Sequence, residues 1–168
     1  ITDEEFNMIP TYLHPNKINI TMMTHTSLSD ISNLQEYYKF TRGKIAATFF
    51  VGPKNEMLIF AQKFIEELFR SHMSVTEEAI YCVVCRKYQQ IFHFHYGDYQ
   101  ETLQNLDGVL HTDRSIRLAG ITFINAFKDH NYEIATHVGK QLIECKLPSI
   151  EMIEVLMNLC SASQQTKQ

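Results

Sequence analysis

The sequence predicts an all-α fold: a right-handed stack of antiparallel helix pairs (an α-solenoid) of about seven helices, preceded by an extended N-terminal arm. Three observations carry that expectation. Apolar residues recur at three- and four-residue spacing through most of the chain after residue 28. Capping residues and glycine or proline stops punctuate these runs at helix-like intervals. Two of the resulting units match one another at a fixed period, as stacked helical units do. No stretch alternates convincingly enough to be read as a strand, and no two-residue hairpin turn stands out.

Residues 1–27 form the arm, 28–162 the helical-repeat domain and 163–168 a frayed polar tail. The arm carries Pro10 and Pro15 and shows no sustained period, yet it contains Ile9, Tyr12, Leu13, Ile18, Ile20, Met22 and Met23. That is too much apolar surface for a free tail, so the arm is expected to dock on the body of the protein or on a partner. From Ser29 or Asp30, a possible helix cap, apolar residues follow at Ile31, Leu34, Tyr38 and Ile45. Gly52-Pro53 breaks the chain. The next helix spaces Leu58, Ala61, Phe64 or Ile65, Leu68 and Phe69 on one face. Ser74 or Thr76 ahead of Glu77 and Glu78 opens another helix, which is expected to run on to a stop at Gly97. A shorter helix closes near Gly108. Three more segments start at Thr112, at Asn131 and after Pro148.

The chain has 168 residues, 45% of them hydrophobic and 20% charged, which suits one soluble domain or a short repeat array. Its 15 Lys and Arg against 19 Asp and Glu give a net charge of −4, which lowers the expectation of nucleic-acid binding and leaves room only for a local basic patch. No apolar run reaches the ~20 residues of a membrane span. The start at Ile1 instead of Met is read as a fragment or a processed form. Four cysteines, two of them only three positions apart, make no disulfide framework and point to a reducing, intracellular setting.

The repeat is clearest between "HYGDYQETLQNL" and "DHNYEIATHVGKQL". Tyr99 and Tyr132 lie 33 residues apart, with Thr102 and Ala135 at the matching small-residue position. The second unit, from Gly120 through Ser149, resembles the pentatricopeptide-repeat family in its core from Phe123-Ile124-Asn125-Ala126-Phe127 to Ala135, and in Pro148 at its end. It departs from the family at His130-Asn131, where a turn glycine is usual, and in a spacing one residue short. Tetratricopeptide repeats have a similar period and also use a small residue here, but their usual Trp is missing. The pentatricopeptide resemblance implies a modular protein that binds single-stranded RNA in organelles, commonly mitochondria. It places base-reading positions at Thr122 and Ser149.

"YCVVCRKYQQIFHFHYG" holds a C-x-x-C and an H-x-H, a set that suits zinc in residue type. On one continuous helix, however, His93 would lie about 16 Å along the axis from Cys82, too far for a shared ion. Cys82 and Cys85 are therefore read as buried small hydrophobes. Tyr37, Lys39, Arg42 and Lys44 mix aromatic and cationic groups as single-strand binders do, although an ordinary amphipathic helix has the same look. Arg86, Lys87, Arg114 and Arg117 are expected on successive first helices and so could line one basic strip, with a solvated helix face as the plainer reading. No G-x-S-x-G and no phosphate-cradling glycine loop is present.

The expected function is thus a non-enzymatic interaction module without cofactor, metal or catalytic residues. Its ligand is single-stranded RNA or, in the alternative, a protein: as a tetratricopeptide-type scaffold in a larger intracellular complex, or as a helical-bundle regulator acting through a hydrophobic groove. No DNA and no membrane span are expected. The compartment is mitochondrial if the pentatricopeptide resemblance holds, and cytoplasmic otherwise.

Overall fold

The computed structural model describes residues 2–26, 31–40, 44–71, 76–101 and 103–145. It overturns the all-α solenoid: the fold is mixed α/β. In chain order the elements are α1 (Asp3–Tyr12), β1 (Ile18–Met22), α2 (Leu34–Phe40), β2 (Ile45–Val51), α3 (Lys54–Arg70), α4 (Glu77–Lys87), β3 (Phe92–Tyr96), α5 (Asp113–Lys128) and α6 (Tyr132–Glu144). Short 3-10 turns lie at Gln89–Ile91, Tyr99–Glu101 and Gln104–Asp107. The strands form one sheet in the order β2-β1-β3, with β1 antiparallel to β2 and parallel to β3.

The supposed arm supplies the centre of that sheet. Residues 3–12 form a helix with Pro10 inside it, and all five residues of β1 are buried. Ile18, Ile20 and Met22 join the main apolar cluster, and Ile9 and Met23 are also buried, so this segment docks on the body of the protein, although Phe6, Met8 and Tyr12 stay exposed. Asn19, on the alternate face, is satisfied instead of exposed. Its Nδ2–H donates to the carbonyls of His14 (3.0 Å) and Lys17 (3.1 Å), and its Oδ1 accepts from the His14 N–H at 2.8 Å. A buried amide so fully paired costs little, and it fixes the turn that feeds the strand.

The long helix expected over 76–96 ends at Lys87. Tyr88 leaves helical geometry (φ −124°, ψ 42°), a 3-10 turn follows, and Phe92-His93-Phe94-His95-Tyr96 pairs with β1 from Ile18↔Phe92 to Met22↔Tyr96. Aromatic residues favour such a strand, and its alternation of Phe and His marks no wet face, because His95 is buried and His93 partly so. The 33-residue repeat therefore joins unlike objects. Tyr132 opens an α-helix, whereas Tyr99 opens a three-residue 3-10 turn, and the unit before Tyr99 is helix then strand.

Helix α3 packs its Met57, Phe60, Phe64 and Leu68 against the core. The Phe60 ring meets Phe50 edge-on at 5.5 Å and Phe92 at 5.4 Å, linking helix to sheet. The Gly52-Pro53 break is real, and Gly52 has a packing reason: a Cβ there would lie 2.8 Å from the Cα of Ile18. Helices α5 and α6 form an antiparallel pair through a turn in which His130 takes a positive φ of 56°, and Asn131 Oδ1 caps α6 by accepting from the Ile134 N–H. At the start of α5, Thr112 Oγ1 accepts from the Ser115 N–H (3.2 Å) and the Thr112 N–H donates to Ser115 Oγ (3.0 Å). Thr112→Ala is expected to lower stability by about 1 kcal/mol, read as a lower urea midpoint with an unchanged slope.

Candidate functional site

The residues expected to make a basic strip do not share an open face. Arg86 is only 4% exposed. Its Nη1–H donates to His25 Nδ1 (3.0 Å), and the His25 Nε2–H donates to Asp129 Oδ2 (3.2 Å), so one chain of polar groups ties the end of α4 to the segment after β1 and to the end of α5. Lys87 Nζ sits 2.8 Å from the buried Glu67 carboxylate, which also takes Arg70 at 2.6 Å. Arg114 Nε pairs with Asp98 Oδ2 at 3.0 Å, and Arg117 is exposed. Thr122 is buried, its Oγ1 accepting from the His25 N–H. Tyr37 lies in the core cluster, Lys39 pairs with Glu36 on the surface, and Lys44 is half-buried beside β2. Arg42 and Ser149 lie outside the described residues.

The C-x-x-C and H-x-H fall on different elements. Cys82 and Cys85 are buried on α4, where burial pushes the Cys85 thiol well above its ordinary range. Cys82 Sγ–H donates to Thr26 Oγ1 (3.1 Å). His93 and His95 lie on β3, and the His95 Nε2–H donates to Asn19 Oδ1 at 3.0 Å. Among the described residues, no group of three or more His, Cys, Asp or Glu is placed to hold a metal ion.

Several buried polar groups, His25, Thr26, Asp98 and Asn105 among them, follow the carboxyl ends of the parallel strands β1 and β3, where open α/β sheets commonly bind ligands. Here they chiefly engage one another. Burial, then the Arg86 charge, lowers the pKa of His25 to about 4, against the raising effect of Asp129. The ring is therefore neutral at pH 7. One of its nitrogens accepts from Arg86 and the other donates to Asp129, an arrangement that suits a strut better than a general base.

The outer face of α3 exposes a line of large apolar side chains. Leu58 is 60% exposed, Ile65 51% and Phe69 66%. At 100° per residue these three fall within about 40° of one another and span about 16 Å of the axis. The sequence pattern counted Leu58, Phe69 and Ile65 toward a buried face, but the structure buries Phe60 and packs Met57, Phe64 and Leu68 inward, leaving α3 apolar on both sides. The signal was in the sequence: "MLIFAQKFIEELF" holds more apolar residues than one helix stripe can use. A second feature that sequence reasoning missed is a cavity between α1 and the 3-10 turn at Gln104–Asp107. No helix among the described residues is long and apolar enough to cross a membrane.

Comparison with protein-family models, with curated proteins and with solved structures finds no match for this chain.

Proposed function

We propose that the chain is a non-enzymatic protein-interaction module whose contact surface is the outer face of α3, occupied by an apolar helix of a partner protein. The observation that carries this reading is the line Leu58, Ile65, Phe69, more than half exposed at each position and straight along the axis. A line of that form matches one facing helix, laid side by side. Lys54 and Asn55 flank its start, and Gln62 with Glu66, joined at 3.0 Å, forms a polar border along its middle. A protein ligand is favoured over RNA because Lys87 and Arg114 are matched to acids and Arg86 is internal.

Covering three side chains that are each roughly 60% exposed is worth on the order of 4 kcal/mol, or about a thousandfold in affinity. The double variant Leu58→Glu/Phe69→Glu is thus expected to keep the thermal midpoint of the wild-type chain within a few degrees while abolishing co-purification of a stoichiometric partner. A large fall in the midpoint would mean that these side chains belong to the fold. Unchanged co-purification would place the interface elsewhere.

A further inference from the structure

Between α1 and the 3-10 turn at Gln104–Asp107 lies a cavity of about 400 Å³, within the usual range for small-molecule sites. Its walls divide by chemistry. Met8, Ile9, Tyr12 and Leu103 provide an apolar lining, Glu4 and Asp107 provide carboxylates, His111 lies beside Asp107, and no Lys or Arg lines it. We propose that this cavity binds a small organic cation, an amine carrying an apolar or aromatic body.

Asp107 is held ready for that role. Its Oδ1 accepts from the Val109 N–H at 2.7 Å, and its Oδ2 lies 3.0 Å from His111 Nε2. Gly108, at a φ of 76°, reverses the chain to bring Val109 back onto that carboxylate. The Asp107 side chain remains 27% exposed, so an ammonium group can still reach it. Glu4 lies in the first turn of α1. Tyr12, partly exposed, supplies an aromatic wall that attracts a cation. The volume suits a whole small molecule better than a single lysine side chain, and two carboxylates in a lining without Lys or Arg favour a cation.

The site rests on a different surface from α3, so its test is independent of the proposed protein interface. The probes are phenethylamine, its neutral analogue 2-phenylethanol and the anionic 3-phenylpropionate, titrated into the full chain and followed by amide chemical shifts. The amine is expected to bind about tenfold more tightly than the alcohol, with shifts centred on residues 4–12 and 103–111, and the carboxylate to bind least. Glu4→Gln, at an exposed helix start, is expected to remove part of the preference for the amine, and Glu4→Gln/Asp107→Asn all of it. Equal binding of the three probes would overturn the proposal. So would shifts confined to other residues, no saturable shift with the amine, or an amine preference that survives Glu4→Gln/Asp107→Asn in a chain with native chemical shifts elsewhere.

Discussion

Gly97→Ala is expected to lower stability by about 3 kcal/mol or more, enough to leave many domains largely unfolded. Gly97 follows β3, and its N–H donates to the Met22 carbonyl (3.3 Å), extending the parallel pair by one residue. A Cβ there would collide with the side-chain carboxamide of Asn105. Asn105 has nowhere cheap to go: it is buried, its Oδ1 accepts from the Asp98 N–H at 3.2 Å, and its Nδ2–H donates to the Asp98 carbonyl at 2.7 Å. Displacing it strands two buried backbone groups as well as the amide itself. Urea unfolding of Gly97→Ala, Asn105→Ala and the double variant tests this account. The double variant should be no less stable than Asn105→Ala, because the colliding group is gone, whereas simple addition of the two losses would refute the steric cause.

Acid is expected to unfold the protein well before the carboxylates titrate. Burial, with lesser effects from His93 and His137, lowers the pKa of His95 to about 3, and that of His25 falls to about 4. In the unfolded chain both imidazoles take up a proton near the ordinary value of about 6.5. Between those limits the unfolded state binds protons that the native state refuses. The stability contributed by the neutral, buried rings is therefore complete above about pH 6.5 and declines as the pH falls toward the folded values. From pH 7 to pH 5 each ring should cost about 2 kcal/mol, and His93 and His137, also lowered by burial, add in the same direction. The urea midpoint should drop steeply over that interval. His95→Gln, which keeps a donor toward Asn19, should remove about half of the drop that the two rings cause. A midpoint that does not change between pH 7 and pH 5 would mean that the rings are solvated.

The helices after Pro53 were largely legible in the sequence, apart from the 3-10 turns between Tyr99 and Asp107, whereas α1 and the sheet were not. The proline break, the long amphipathic run after it, the acidic start of α4 and the segment starts at Thr112 and Asn131 all mark helices present in the structure. The strands were hidden by their burial. β1 does alternate, as Ile-Asn-Ile-Thr-Met, but Asn19 and Thr21 are buried as fully as their neighbours, so its polar positions did not mark a wet face. β3 also alternates, as Phe-His-Phe-His-Tyr, and could be absorbed into the preceding helix because Gly97 resembled a helix stop. In the structure that glycine answers to Asn105 pressing on the chain, a contact that sequence spacing alone does not reveal. The proposed interaction surface was half legible. The excess of apolar residues in α3 was visible, but which of them face inward depends on Phe50, Tyr81 and Phe92, contributed by three other elements.

The basic residues teach the complementary lesson. Arg86 and Lys87 adjoin in sequence yet meet different fates, one as an internal strut to His25 and one as the partner of Glu67. Charge read along a chain locates cations; only the fold shows which are already spoken for.

The most direct test of the α3 interface is a photo-crosslinking scan in cells of the organism that makes the protein. A benzophenone side chain is placed in turn at Leu58, Ile65 and Phe69, with exposed Gln90 as the off-face control. The account predicts the same discrete protein adduct from all three α3 positions and none from Gln90, with the adduct lost when the two remaining positions of the line are changed to Glu. Adducts of equal strength from Gln90, or none from any of the three α3 positions, would contradict it.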